Sequence, residues 1–165
     1  MKQYTKYIKS AKQLGAKNAK VIRASSIKTA EWVRMKCQFG CDGYGHALTC
    51  PPNSPAPQQT KKMLGDYKYA LLVHGGEWTD IRKAVAVLER EMFLDGFYKA
   101  FAMAAGPCNL CSRCPQHCAH PEKARPSMEA CGIDVYRTAH NNGFPIKVAK
   151  TRNAKGNYYG VVLIE

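Results

Sequence analysis

The sequence has no long apolar run and no segment that resembles a leader. No stretch approaches the roughly 18 consecutive apolar residues that a membrane-spanning helix requires. The amino-terminal segment MKQYTKYIKSAKQLG lacks the apolar h-region of a secretory signal peptide. We therefore expect a cytoplasmic protein that does not enter a membrane.

Several catalytic signatures are also missing. The chain has no Walker loop, no dinucleotide-binding fingerprint and no arrangement typical of a hydrolytic triad. Internal repeats and low-complexity segments are absent as well. Because 165 residues are enough for one substantial hydrophobic core, we expect a single domain over residues 1–165.

Acidic residues are few compared with basic ones. The chain has 12 Asp and Glu against 25 Lys and Arg, which gives a formal net charge of +13. Such an excess can attract nucleic acid, a phosphorylated ligand or an acidic protein. The basic residues are spread out, mainly along one amino-terminal helix and around a carboxy-terminal turn: Lys2, Lys6, Lys9, Lys12, Lys147, Lys150, Arg152 and Lys155. We expect most of them to form solvated faces, which argues against nucleic acid as a partner.

Cysteine, in contrast, is abundant, and four of the eight cysteines form a closely spaced run with intervals of two, two and three residues. The members of this run are Cys108, Cys111, Cys114 and Cys118. Bacterial ferredoxins use this spacing to hold cubane iron–sulfur clusters, with the fourth cysteine directed at a second cluster. In a reducing cytoplasm, such spacing indicates metal ligation rather than disulfide bonds.

A second set of cysteines has its own spacing, Cys37-x3-Cys41-x8-Cys50. Glycines between these cysteines let the backbone pass close to a bulky cofactor. The spacing does not match a zinc ribbon or a zinc finger, since no second C-x2-C pair lies far from the first. Beside the run at 108–118, this set supplies three thiolates for a second site.

The eight cysteines thus predict two four-thiolate sites, which suit two [4Fe-4S] clusters. Our preferred assignment completes the set Cys108, Cys111 and Cys114 with Cys131. It completes the set Cys37, Cys41 and Cys50 with Cys118, following the two-cluster ferredoxins. If Cys131 is instead a small buried residue, one cluster keeps an iron open to substrate, water or a non-cysteine ligand.

Histidines provide alternative ligands near the cysteines. His117 and His120 flank Cys118, and His46 lies in the glycine-rich loop. Each could replace a thiolate or donate a hydrogen bond to a cluster sulfur. We expect His74 and His140 to serve structure instead.

Apolar periodicity predicts helices that alternate with short strands. The predicted helices span 2–14, 29–35, 81–96 and 127–142, and the predicted strands span 19–27, 69–74 and 99–105. A carboxy-terminal hairpin is predicted from 146–150 and 158–164. This order indicates a single α/β (α+β) domain, with a small mixed β-sheet flanked by helices. The loops at 37–60 and 108–118 should meet at one end of the sheet.

Four sequence blocks are distinctive together: residues 32–37, 44–52, 105–108 and 122–135. The combination resembles a family of small prokaryotic proteins described as predicted metal-binding proteins, a domain of unknown function. The resemblance extends over nearly the whole chain. It implies metal binding through the matching cysteines, including Cys131 inside its own block, and it implies an anaerobic source. It does not supply a reaction.

We therefore expect an iron–sulfur protein that works in electron transfer or other redox chemistry, with an acidic redox partner protein. One alternative is an enzyme that uses a site-differentiated cluster with an open iron. Another is a zinc-stabilised nucleic-acid-binding protein. The basic stretches argue against it, because apart from Tyr158 and Tyr159 they have few aromatic residues on which bases could stack.

Overall fold

The computed structural model describes residues 2–151 and 153–165, apart from the side chain of Lys2. Arg152, one of the basic residues assigned to the carboxy-terminal turn, lies outside the described residues. The helices are α1 Thr5–Gln13, α2 Glu31–Gly40, α3 Pro57–Leu64, α4 Ile81–Leu94 and α5 Val135–Asn141. The strands are β1 Asn18–Arg23, β2 Tyr69–Gly75, β3 Phe101–Met103 and β4 Tyr158–Leu163. Within this part of the chain, no helix is both long and apolar enough to cross a membrane.

The four strands form one sheet in the order β1-β2-β4-β3, and each neighbouring pair is antiparallel. The chain is a mixed α/β domain as expected, but the predicted mixed sheet is antiparallel throughout these strands. A single isolated parallel bridge joins Ala104 and Ser127 outside them. The predicted hairpin is also wrong, because β4 pairs with β2 and β3 and residues 146–150 form no strand.

The sheet separates two hydrophobic clusters because successive side chains of a strand point to opposite faces. Leu71 of β2 packs with α1 and α4, in a cluster that includes Tyr7 and Leu88. Leu72 packs on the other face, in a cluster that includes Leu64 and Met128. Since β2 is buried on both faces, its sequence is an almost continuous apolar run rather than an alternating one.

Two helix starts illustrate how capping decides the boundaries. Asp80 caps α4, since its side chain accepts a hydrogen bond from the Lys83 amide at 3.0 Å and the helix follows it directly. The helix predicted from Ser127 does not form there. Residues 128–132 instead make turns that end at Gly132. The φ of Gly132 is +73°, a left-handed backbone conformation that a right-handed helix cannot contain. α5 begins only after Asp134, which accepts from the Arg137 amide at 2.9 Å.

Two other segments differ from the prediction near the cysteines. α2 continues to Gly40, so that Cys37 lies inside the helix rather than after it. The predicted loop at 37–60 ends early, because α3 begins at Pro57. Proline suits the first position of a helix since its missing amide would have no helical partner there.

Close packing of α4 on the sheet leads to a test at Gly160. A Cβ atom on this residue would lie 2.7 Å from both Ile81 Cγ2 and Val85 Cγ1, and 3.1 Å from the Met103 carbonyl oxygen. We expect Gly160→Ala to lower the free energy of unfolding by about 2 kcal/mol, because α4 must move away from the sheet.

Urea denaturation of the reduced, metal-free protein would measure this effect. Gly40→Ala is the matched control, because a Cβ at Gly40 meets no heavy atom within 4 Å. Equal stabilities of the two variants would contradict this view of the α4 packing.

Candidate metal centre

The cysteine run at 108–118 lies in a segment without helix or strand, and polar contacts to α4 hold both of its ends. At the start, the Arg82 guanidinium on α4 donates to the Asn109 side-chain oxygen and to the Pro107 carbonyl. Beyond the end, Arg125 pairs with Glu89, also on α4. The loop therefore takes its position from the helix rather than from a fold of its own.

The Arg125–Glu89 pair is the most enclosed ion pair among the described residues, with side chains 15% and 14% exposed. Arg125 Nε donates to Glu89 Oε2 at 2.7 Å, and the Ala102 amide of β3 donates to the same oxygen at 2.6 Å. Arg125 also donates to the carbonyl oxygens of Pro121 and Ala124 at 2.9 and 2.8 Å. The hydrogen bonds with Glu89 raise the pKa of Arg125 further above its already high value. One guanidinium thus connects α4 and the loop, and Glu89 extends the connection to β3.

All four cysteines of the run line one cavity of about 470 Å³. Cys108, Cys111 and Cys114 are half-buried, whereas Cys118 is exposed. The Leu48 amide donates to Cys114 Sγ at 3.4 Å, so the loop between α2 and α3 covers the run. Cys118 borders the cavity of its own run rather than that of the other set, which differs from the predicted crossing. His46 and His120 also line this cavity.

The other three thiols, those of Cys37, Cys41 and Cys50, line a larger neighbouring cavity of about 770 Å³. Gly43 lies between two of them. A Cβ atom there would be 3.2 Å from Cys50 Sγ and 3.6 Å from Cys41 Sγ. The glycine therefore keeps open a space between sulfur atoms that any other residue would partly fill.

Side-chain hydrogen bonds fix the loop that carries Cys50. Arg34 on α2 donates to the carbonyl oxygens of Ser54 and Pro55 at 3.1 and 2.8 Å. The Ser54 hydroxyl in turn donates to the Ala130 carbonyl at 2.6 Å. These contacts connect the loop to α2 on one side and to the turns at 128–132 on the other.

The two cavities adjoin, since Gly43 and Pro107 line both. Cys50 lies close to Cys108 of the run across this boundary, near enough for the charge of a Cys108 thiolate to raise the pKa of the Cys50 thiol. Burial raises the pKa of the Cys37 and Cys50 thiols, and the nearby charge of a Cys41 thiolate would raise both further. Metal binding here must therefore displace protons from these two thiols.

Cys131 lines neither of the two cavities. It is fully buried in the cluster with Leu64, Met128 and Ile133. Burial raises the pKa of its thiol to about 12. The structure therefore places Cys131 in the core, and its predicted grouping with Cys108, Cys111 and Cys114 stays a prediction. The sequence signal for this placement is the apolar setting of Cys131, with Ala130 before it and Ile133 after it.

Sequence reasoning missed Glu129. This residue lines the larger cavity, and its carbonyl oxygen accepts a hydrogen bond from Cys37 Sγ at 3.9 Å. Its Oε2 atom is buried without a hydrogen-bond partner in the described residues. Burial raises the pKa of this carboxyl. The available signal was an acidic residue between the apolar Met128 and Ala130.

Comparison with known families gives one match. The family model described as a predicted metal-binding protein, DUF2284, matches residues 20–164. Because the match covers most of the chain, the protein belongs to this family of predicted metal-binding proteins. No curated protein and no solved structure matches the chain.

The Arg125–Glu89 pair gives a test of how the run is held. We expect Glu89→Gln to lower the free energy of unfolding by about 3 kcal/mol, because Arg125 then loses its charged partner. Arg90→Gln, which changes the exposed neighbour on the same helix, should cost no more than about 0.5 kcal/mol. Urea denaturation measures both values. Similar values would mean that the ion pair does not hold the loop.

The setting of Cys131 gives a second test, by alkylation of the reduced, metal-free protein. With a pKa of about 12, only about one Cys131 thiol in ten thousand is ionised at pH 8. As long as the pH stays below that pKa, each increase of one pH unit raises the thiolate fraction tenfold. The alkylation rate of Cys131 should rise in the same proportion while the protein stays folded.

Peptide mass spectrometry after iodoacetamide treatment would follow each cysteine. The exposed Cys41 is the internal reference. Modification of Cys131 as fast as Cys41 at pH 8 would show that Cys131 is not part of the core.

Proposed function

We propose that this member of the predicted metal-binding family binds two [4Fe-4S] clusters and acts as a redox enzyme. One cluster would pass electrons, and the other would have an iron that is open to a substrate. The division of seven thiols into a set of four and a set of three, around adjoining cavities, carries this proposal. A chain that only relays electrons would be expected to provide four thiolates at both sites.

The spread of the thiols favours clusters over zinc. Thiolates around one zinc ion lie only about 3.8 Å apart, because each zinc–sulfur bond is about 2.3 Å long. In the described residues, no three Cys, His, Asp or Glu side chains are grouped closely enough to hold a single ion. A cubane spaces its ligands more widely since each thiolate bonds a different iron. The spacing of the run at 108–118 points the same way.

The two sites differ in how completely cysteine would surround a cluster. Cys108, Cys111, Cys114 and Cys118 suffice for a cluster with no open position. Cys37, Cys41 and Cys50 leave one iron without a thiolate, and the cavity beside them has room for another ligand. When bound there, a cluster would supply a one-electron couple together with a Lewis-acidic iron.

The boundary between the sites suits electron transfer from one to the other. Cys108 and Cys50 lie close together, and each belongs to a different set. Electrons reaching the four-thiol site would cross this short boundary to the site with the cavity. Arg82 and Arg125 would keep that distance constant, since each fixes one end of the run to α4.

An acidic redox protein in the cytoplasm is the electron donor that we propose. The chain has 25 Lys and Arg against 12 Asp and Glu, and this excess of positive charge would steer such a donor towards it. The donor would dock on the side of the four-thiol site, where electrons enter, and would leave the mouth of the larger cavity free.

Anaerobic purification, followed by counts of iron, acid-labile sulfide and zinc, tests the cluster assignment. We expect about eight iron and about eight sulfide per chain, since each cubane contains four of both. Cys111→Ser and Cys41→Ser should each remove about half of the iron. Cys131→Ala should leave the iron count unchanged as the matched control. One zinc per site without sulfide would refute the clusters and favour the zinc alternative.

The open iron has its own measurement. Cyanide, a small ligand for iron, should change the EPR spectrum of the reduced wild-type protein. In Cys41→Ser the cyanide-sensitive signal should be the one that is lost, whereas in Cys111→Ser it should persist. A spectrum unaffected by cyanide would mean that both clusters are fully ligated by the protein, as in a simple electron relay.

A further inference from the structure

The cavity beside the three thiols has the size of a small-molecule site. Its volume of about 770 Å³ lies within the roughly 300–1,000 Å³ typical of ligand pockets. Most of its wall is apolar, with side chains such as Val33, Ile133 and Val135. A cluster held by the three thiols would occupy part of this space, and the space that is left suits a small organic molecule.

Aromatic residues form part of the cavity lining. Trp32, Tyr136 and Tyr158 line the cavity and are 47%, 44% and 46% exposed. Deeper in, Tyr159 is buried and stacks on His74 with ring centroids 4.8 Å apart. Half-exposed rings in a cavity lining offer their faces to a planar ligand at little cost in conformational entropy. The lining therefore favours a flat, unsaturated molecule over a sugar or a flexible chain.

Glu129 provides a buried hydrogen-bond acceptor in the wall of the cavity. The structure describes no partner for its buried Oε2, although buried polar atoms in proteins nearly always have one. It is the only acidic side chain that lines the cavity among the described residues. A ligand hydroxyl or amine that reached Oε2 would complete its hydrogen bonding.

The charge at the opening is positive. Lys36 and Lys147 line the cavity and are exposed, so they lie towards its mouth. Neither makes a salt bridge with a carboxylate in the described chain. Two unpaired ammonium groups beside an apolar wall favour a ligand with a carboxylate at its outer end. The positive mouth and the inner acceptor also orient the ligand, since its two polar ends must lie on opposite sides of its ring.

We propose that this cavity binds an aromatic carboxylate that has a hydroxyl or amino group at the far end of its ring. The ring would lie among the aromatic side chains and the carboxylate beside Lys36 and Lys147. The hydroxyl or amino group would donate a hydrogen bond to Glu129. The inference deepens the proposed function by naming a substrate class for the three-thiol site. Binding itself depends only on the cavity and these side chains.

Three probes that share one ring separate the contributions. 4-Hydroxybenzoate has both polar ends, benzoate lacks the donor, and phenol lacks the carboxylate. Saturation-transfer NMR and calorimetry with anaerobically purified wild-type protein should show that 4-hydroxybenzoate binds tightest. Benzoate and phenol should each bind about three- to tenfold more weakly, as expected for the loss of one hydrogen bond or one ion pair. Failure of 4-hydroxybenzoate to bind, or equal affinity for all three probes, would overturn the proposal.

Variants assign each end of the probe. Glu129→Ala should weaken 4-hydroxybenzoate three- to tenfold and leave benzoate unchanged, because only the first uses the acceptor. Lys147→Ala should weaken both carboxylates about threefold and leave phenol unchanged. Lys150→Ala, an exposed lysine nearby that does not line the cavity, is the matched control and should change nothing. The lysine variants stay informative if Glu129→Ala fails to fold. Equal effects of Lys147→Ala and Lys150→Ala would contradict the assigned orientation.

The outcome separates this inference from the cluster assignment. Iron and sulfide in the expected amounts, with no probe binding, would refute the ligand site and leave the clusters standing. Selective probe binding by a protein that contains zinc and no sulfide would support the ligand site and refute the clusters. If both hold, 4-hydroxybenzoate should also shift the cyanide-sensitive EPR signal, and Glu129→Ala should reduce that shift at equal probe concentration.

Discussion

The ion pair between Arg125 and Glu89 is the contact on which the candidate metal centre most depends. Residues 107–126 contain neither helix nor strand, and irregular segments of this length are uncommon inside compact domains. The pair lies almost out of solvent, and Glu89 also accepts from β3, so its geometry is fixed by the core of the domain. Arg82 fixes the other end of the segment from the same helix. The packing of α4 on the sheet therefore sets where four thiols lie.

The division of the thiols follows from this attachment. The loop between α2 and α3 carries Cys41 and Cys50 over the run, and Gly43 lets the two segments approach closely. Arg34 holds the other end of that loop against α2. Two groups of thiols with a common boundary result, and the group on the α2 side borders the larger of the two cavities. The proposed metal sites and the proposed ligand site thus share one wall of the domain.

The sequence predicted the parts of the fold that depend on local patterns. β2 is a continuous apolar run, and α4 has a capping aspartate and one apolar face, so both were found nearly to the residue. The hairpin at 146–164 was wrong because strand pairing depends on distant partners. β4 pairs with β2, about 90 residues earlier, and no local pattern records that choice. The helix predicted from Ser127 failed because Gly132 packs against Pro57 of α3, a contact between segments far apart in sequence.

The sequence by itself determined the donor chemistry: eight thiols, one run spaced for a cubane, and a family of metal-binding proteins. Cysteine spacing is a local property, and it limits which thiolates can surround one cluster. The tertiary structure alone decided that Cys131 belongs to the core, that Cys118 lies with its own run, and that Glu129 faces the larger cavity. Burial and the grouping of side chains depend on which segments pack together, and that is settled only when the sheet and its helices assemble.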